Sequence, residues 1–152
     1  FIINGFLPPS PYRSIDTLKV ARQKFKFNSN TLGDLGQTLG LGEKVATGGF
    51  SLWQGVMRGD EKSWKRMIRY AKQDTDLLIK VYEKLKPWMT NHPNLGMWSE
   101  LTVCPTCGGN HLMKRGFATT NTMRYQRYQC TDCGAYSRSR AAEAGVRPNL
   151  VP

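Results

Sequence analysis

Apolar residues recur at three- and four-residue steps between Trp64 and Leu85: Trp64, Met67, Ile68, Ala71, Leu78, Val81, Tyr82 and Leu85. That spacing predicts one long amphipathic helix over residues 60–85, with these side chains on its core face. Gly59-Asp60 supplies the break and the N-cap. Pro87 ends the element, because proline disfavours helix at the residue before it. Upstream, residues 1–11 read as an irregular approach, with Asn4-Gly5 as a turn pair and three prolines. Tyr12 to Asp16 reads as a short strand, and Asp16-Thr17 opens a helix with Leu18, Ala21 and Phe25 on one face. Thr31 to Leu39 reads as a short helix with Leu32, Leu35 and Leu39 inward. Phe50 to Met57 reads as another, with Phe50, Trp53 and Met57 inward. Gly40, Gly42, Gly48 and Gly49 lie between them, without the strand–loop–helix setting or the Lys-Ser/Thr ending of a phosphate loop.

Past a linker at residues 89–103, which holds Pro93 and Gly96, the pattern changes. His111 to Phe117 and Arg124 to Gln129 read as two strands around the turn sequence ATTNTM, and residues 141–152 as a loosely ordered tail. The chain is therefore read as α/β: a mostly helical unit over residues 1–88, the linker, a small β module over 104–140, and the tail.

Charge narrows the partners. Lys and Arg total 22 against 11 Asp and Glu, a formal net charge of +11. Residues 1–90 carry +7 of it and residues 91–152 carry +4, so both parts are basic. A polyanion is the expected partner, nucleic acid first; solubility alone is the plainer use of such a surface. No apolar run approaches the roughly 20 residues that span a bilayer, and no charged leader with a small-residue cleavage pattern opens the sequence. A cytoplasmic protein without a membrane partner is expected.

Four cysteines supply the sharpest motif: Cys104-Pro-Thr-Cys107-Gly and Cys130-Thr-Asp-Cys133-Gly, with 22 residues between Cys107 and Cys130. Two Cys-x-x-Cys pairs at this separation can offer four thiolates to a tetrahedral zinc ion. The glycine after each second cysteine allows a tight turn under the metal. This is the pattern of a zinc ribbon. Two disulfides or free thiols are the competing readings, and disulfides are disfavoured without a secretory signal. His111 is expected on the surface or in a strand, not as a fifth ligand, and His92 has no role. Lys114, Arg115, Arg124, Arg127, Arg138 and Arg140 interleave with Phe117, Tyr125, Tyr128 and Tyr136. Cations neutralise phosphates and aromatic faces stack on bases, so these residues are candidate nucleic-acid contacts. Some of the aromatics must instead fill the ribbon's own small core.

Tyr70 and Asp74 are four residues apart and so are neighbours on one helix face, with Asp74 near the edge of the apolar stripe. An exposed or capped carboxylate on a solvated flank is the plain reading. A larger resemblance changes the weight. IDTLKVAR (residues 15–22), LGDLGQTLGLGEKVATGGFSLWQGVMRGD (32–60) and RYAKQDTDLL (69–78) resemble the C-terminal half of a DEDD-superfamily 3′–5′ exonuclease domain, of the proofreading kind with a ribonuclease H-like fold. The similarity covers about residues 1–88. In that family the third motif is a helix bearing Tyr-x-x-x-Asp, which Tyr70-Ala-Lys-Gln-Asp74 matches. The resemblance implies that Asp74 holds a catalytic divalent cation, Mg or Mn, and that Tyr70 orients the attacking water. The ribbon, ending RYQRYQCTDCGAYSRSR, is similar to those appended to phage and mobile-element nucleic-acid enzymes, which implies phage origin and a host cytoplasm.

The departure from the family is specific. A two-metal site needs several carboxylates, and no Asp-x-Glu occurs anywhere in the chain. The family places that motif and a further Asp before the point where Phe1 stands. Asp16 is a secondary candidate acid. These observations lead us to expect the nucleic-acid-binding C-terminal part of a metal-dependent exonuclease-like protein, inactive by itself until an N-terminal half or a companion chain brings the other acids. DNA ranks ahead of RNA as its partner. The alternative is a non-catalytic zinc-ribbon binding protein or structural subunit built on a nuclease remnant.

Overall fold

A computed structural model describes residues 2–43 and 48–145 of the chain. The expected loose tail falls largely on 146–152, outside the described residues. Two compact units are present: Asp16–Met89, and a second made of Phe1–Ile15 with Thr90–Pro152.

The first unit contains four α-helices among its described residues: α1 (Thr17–Lys24), α2 (Leu32–Thr38), α3 (Phe50–Met57) and α4 (Glu61–Leu85). α4 is the hub, touching each of the other three. Its N-terminus is fixed as the sequence implies: the Asp60 carboxylate accepts from the Ser63 N–H at 2.8 Å and from the Ser63 hydroxyl. Those bonds hold the Asp60 carboxyl below the usual carboxylate range. The inward face of α4 differs from the expected stripe. Leu77, Val81 and Leu85 are buried and Met67, Tyr70 and Asp74 half-buried, whereas Trp64, Ile68, Ala71 and Leu78 are exposed. The helix is apolar around more than half its circumference, and packing selects the Met67–Tyr70–Asp74–Leu77–Val81 row. Asp74 thus lies within the inward row and not at its edge.

Two other expectations need correction. Phe50, Trp53 and Met57 are exposed on α3, which instead buries Leu52 and half-buries Val56. Residues 12–16 form no strand. Tyr12 is exposed, and a lone extended segment has no ladder to satisfy its backbone. Asp16 is the N-cap of α1, accepting from the Leu18 and Lys19 N–H groups. The segment before it is held by the Asn91 amide donating to Ser14 O and by Arg13 donating to His92 O. Contact of α2 with α4 depends on Gly36, where a Cβ would stand 2.6 Å from Gly42 O and 3.0 Å from Leu77 Cδ1.

The second unit is built on a three-stranded antiparallel sheet, β1 (Leu112–Thr119), β2 (Arg124–Cys130) and β3 (Tyr136–Arg138), in the order β1-β2-β3. The first two are the expected hairpin. β3 lies in the basic stretch after the cysteines, where the residue pattern alone predicts no strand. Pairing runs Leu112 with Cys130, Lys114 with Tyr128, then Phe117 with Gln126, so Arg115 and Gly116 together face Arg127 in a β-bulge. Gly116 takes a φ of +66°, the left-handed conformation that such a bulge assigns to glycine. The linker is not structureless: Leu95–Trp98 forms a 3-10 turn, and the Leu95 N–H donates to Pro105 O at 2.8 Å.

Candidate metal centre and basic sheet face

The two Cys-x-x-Cys segments fold into matching knuckles. In the first, the Gly108 N–H donates to Cys104 O at 2.9 Å, and in the second the Gly134 N–H donates to Cys130 O at 2.9 Å. Gly108 and Gly134 both have φ of +78°, which lets the chain reverse under the cysteines. Each knuckle is closed by a second backbone bond: Cys104 N–H to Gly109 O at 2.7 Å, Cys130 N–H to Ala135 O at 2.9 Å. The four Sγ atoms consequently lie within 4.8 Å of one another, with Cys104–Cys133 and Cys107–Cys130 at 3.7 Å. A tetrahedral ion with metal–sulfur bonds of about 2.3 Å requires sulfurs about 3.8 Å apart. All four cysteines are free, so the disulfide alternative is not realised.

Backbone N–H groups point at two of the sulfurs. Thr106 N–H points at Cys104 Sγ and Gly109 N–H at Cys107 Sγ, each at 3.4 Å. Burial works to raise the Cys104 thiol, but the N–H groups of Cys107 and Thr106, together with the neighbouring Cys133 and Cys107 sulfurs, outweigh it and hold it below the ordinary thiol range. Burial raises Cys107, and pushes Cys133 up to about 12, where its sulfur neighbours add to the shift and the Ala135 N–H opposes it. Four adjacent sulfurs cannot all ionise without a cation between them, and a divalent ion supplies that charge. Zinc fits this donor set best, being d¹⁰, tetrahedral and content with sulfur alone. His111 is not a ligand. Its Nδ1 lies 2.8 Å from Asp132 Oδ1, and its backbone carbonyl accepts from Thr131 N–H, so it ties the start of β1 to the second knuckle.

Register sorts the basic and aromatic candidates between two faces of the sheet. Residues paired across strands share a face. Met113, Gln129 and Tyr136 therefore lie together, beside Arg127 paired with Arg138 and Ala118 paired with Tyr125. Arg115 joins this face, donating from Nε to Gln129 Oε1 at 3.2 Å. The other face carries Leu112, Lys114, Phe117, Tyr128 and Arg124. Arg124 is engaged within the protein, with Nε 2.5 Å from Glu143 Oε2 and its guanidinium 4.4 Å from the centre of the Phe117 ring. Tyr128 is half-buried, and Arg140 is exposed beyond β3. Single-sequence reasoning missed Met113 and Gln129; strict two-residue alternation along β1 and β2 was the signal for both.

In the helical unit, Tyr70 and Asp74 sit one turn apart, both half-buried on the inward row of α4. Asp16 is committed to capping α1. Among the described residues the four cysteines are the sole cluster of three or more potential metal ligands, so Asp74 stands in no carboxylate group able to hold a divalent ion. No described helix is long and apolar enough to cross a membrane. Searches among models of protein families, curated proteins and solved structures find no match to this chain.

Proposed function

We propose that the chain is the nucleic-acid-binding part of a metal-dependent 3′–5′ exonuclease-like protein, with a structural zinc ribbon. The observation that carries the binding half is the charge distribution of the ribbon. Its basic side chains line a sheet whose neighbouring acids are already committed, Asp132 to His111 and Glu143 to Arg124. Together with a net charge of +11, that leaves cations facing solvent for phosphates to neutralise. DNA is the first partner to test.

The catalytic half rests on Asp74 and Tyr70. Asp74 is half-buried on the inward row of α4 and lies a turn from a tyrosine, as the exonuclease resemblance requires. In a ribonuclease H-like setting Asp74 would hold Mg or Mn and Tyr70 would orient water. Further acids would come from an N-terminal half or a companion chain. A non-catalytic binding protein built on a nuclease remnant is the reading favoured by the lack of any carboxylate cluster around Asp74 among the described residues.

The test has two arms. Anisotropy of a labelled oligonucleotide with the zinc-loaded chain should show affinity falling steeply between about 50 and 200 mM salt, with a log–log slope set by the number of phosphates neutralised, about −0.7 each for single strands. A flat response refutes the electrostatic reading. End-labelled strands incubated with Mg or Mn should be left intact by the chain alone and trimmed from the 3′ end once the complementary acids are supplied. Asp74→Asn in that complete assembly should abolish trimming while binding persists. Full activity in the variant removes the helix from the reaction.

A further inference from the structure

The bulged face of the ribbon sheet is a more particular site than a generally basic surface, and its assignment rests on the nucleic-acid-binding reading above. Met113, Arg115, Tyr125, Arg127, Tyr136 and Arg138 share it, and among the described residues of the three strands no carboxylate does. Arg127 and Arg138 are direct cross-strand partners. Like charges directly opposite each other oppose folding, yet neither arginine pairs with a described carboxylate. The fold accommodates the repulsion by laying the Arg138 guanidinium over the Tyr125 ring, 3.9 Å from its centre. One side of the guanidinium is thus covered by the ring, and the other is turned away from it. Tyr136, on β3, is 59% exposed, and Met113, across Gln129 from it, is 48% exposed. The bulge opens a cleft lined by Lys114, Arg115, Gly116, Arg127 and Tyr136. Arg115 and Arg127 share the bulged face, whereas Lys114, paired with Tyr128, borders the cleft from the opposite face.

We infer that this face binds single-stranded nucleic acid, with a backbone phosphate in the Arg115–Arg127 cleft and unpaired bases stacked on Tyr136 and on the outer side of Arg138. The chemistry selects a single strand over a duplex. Exposed aromatic and guanidinium planes have value only to bases whose faces are free. Arg124, on the opposite face and held by Glu143 and Phe117, contributes less than Arg127.

The experiment uses the full zinc-loaded chain and anisotropy of short labelled DNA and RNA strands and of the matching duplex, at several salt concentrations. Arg127→Ala/Arg138→Ala should weaken single-strand binding at least about tenfold at low salt and flatten the log–log salt slope by about 0.7, the one phosphate that Arg127 helps to hold. Tyr136→Ala should weaken it about five- to a hundredfold, the range for loss of one stacked base, and Tyr136→Phe should restore it. Retained zinc and an unchanged thermal transition show that each variant is folded. Duplex preferred over single strand, no loss in Tyr136→Ala, or equal losses in Arg124→Ala and Arg127→Ala would each overturn this face while leaving general binding intact. A chain that binds neither form of nucleic acid overturns the proposed function itself.

Discussion

Removing the metal should unfold the ribbon and leave the helical unit standing. The magnitude comes from what the ribbon buries. Its fully buried residues are Cys104, Cys130 and Ala135, with Cys107, Cys133 and Leu112 partly covered against them. Setting the ligands aside, Leu112 and Ala135 together contribute at most about 3–4 kcal/mol of apolar burial. A structural zinc contributes on the order of 10–16 kcal/mol in small peptides of this kind, several times that apolar burial. All four α-helices belong to the other unit, whose buried Leu35, Leu77, Val81 and Leu85 involve no metal. Stripping the chain with a thiol-reactive mercurial and a chelator should release one zinc per chain. Amide-exchange protection should vanish over β1–β3, and the helical far-UV dichroism should survive. Protected ribbon amides in fully metal-free protein would refute the reasoning. So would freshly purified protein with no zinc and four freely reactive thiols.

Acidification should release the metal, because zinc binds thiolates and the thiols of the unfolded, metal-free ribbon, protonated at neutral pH, must give up their protons on binding. Affinity therefore rises with pH and is lost as pH falls, which a zinc dye in a pH-jump series will read; metal binding that is independent of pH contradicts it. Leu85→Ala removes a side chain only 1% exposed, at the base of α4, and should cost the helical unit about 2–5 kcal/mol. Urea titration followed by helical dichroism should show the loss while zinc content stays constant. Gly36→Ala forces a methyl against Gly42 O and Leu77, and should cost about 1–3 kcal/mol by the same assay. A stabilised variant would show that α2 and α4 are not in close contact.

Much of the ribbon was legible because its constraints are local. Four cysteines at fixed spacing, a glycine after each pair and two alternating segments leave few arrangements open. The bulge had a signal too, in a glycine inside a strand pattern at position 116. β3 did not, being three residues long and lying in a stretch that reads as basic tail. In the helical unit, positions were legible and faces were not. α3 carries Phe50, Leu52, Trp53, Val56 and Met57 along one broad stripe of nearly half its circumference, so hydrophobicity alone could not choose which of them face inward. The structure turns the smaller Leu52 and Val56 inward and leaves the two aromatics and Met57 outside.

Asp74 shows the same ambiguity with a functional consequence. Periodicity sorts helix positions by apolarity, so a stripe drawn through Trp64, Ile68, Ala71 and Leu78 passes beside Asp74 and assigns it to a solvated flank. The packed face runs instead through Met67, Tyr70, Asp74, Leu77 and Val81, at alternating steps of three and four. A charged residue there breaks the agreement between local pattern and packing that a purely structural helix would keep. Trp64 and Ile68, by contrast, stay about half exposed, at 47% and 50%. Under the proposed function the half-buried Asp74, one turn from Tyr70, would hold a metal, and Asp74→Asn tests it. If the charge serves packing only, the variant loses stability. If it serves a metal, the isolated chain holds or gains stability and the loss falls on the activity of the completed site.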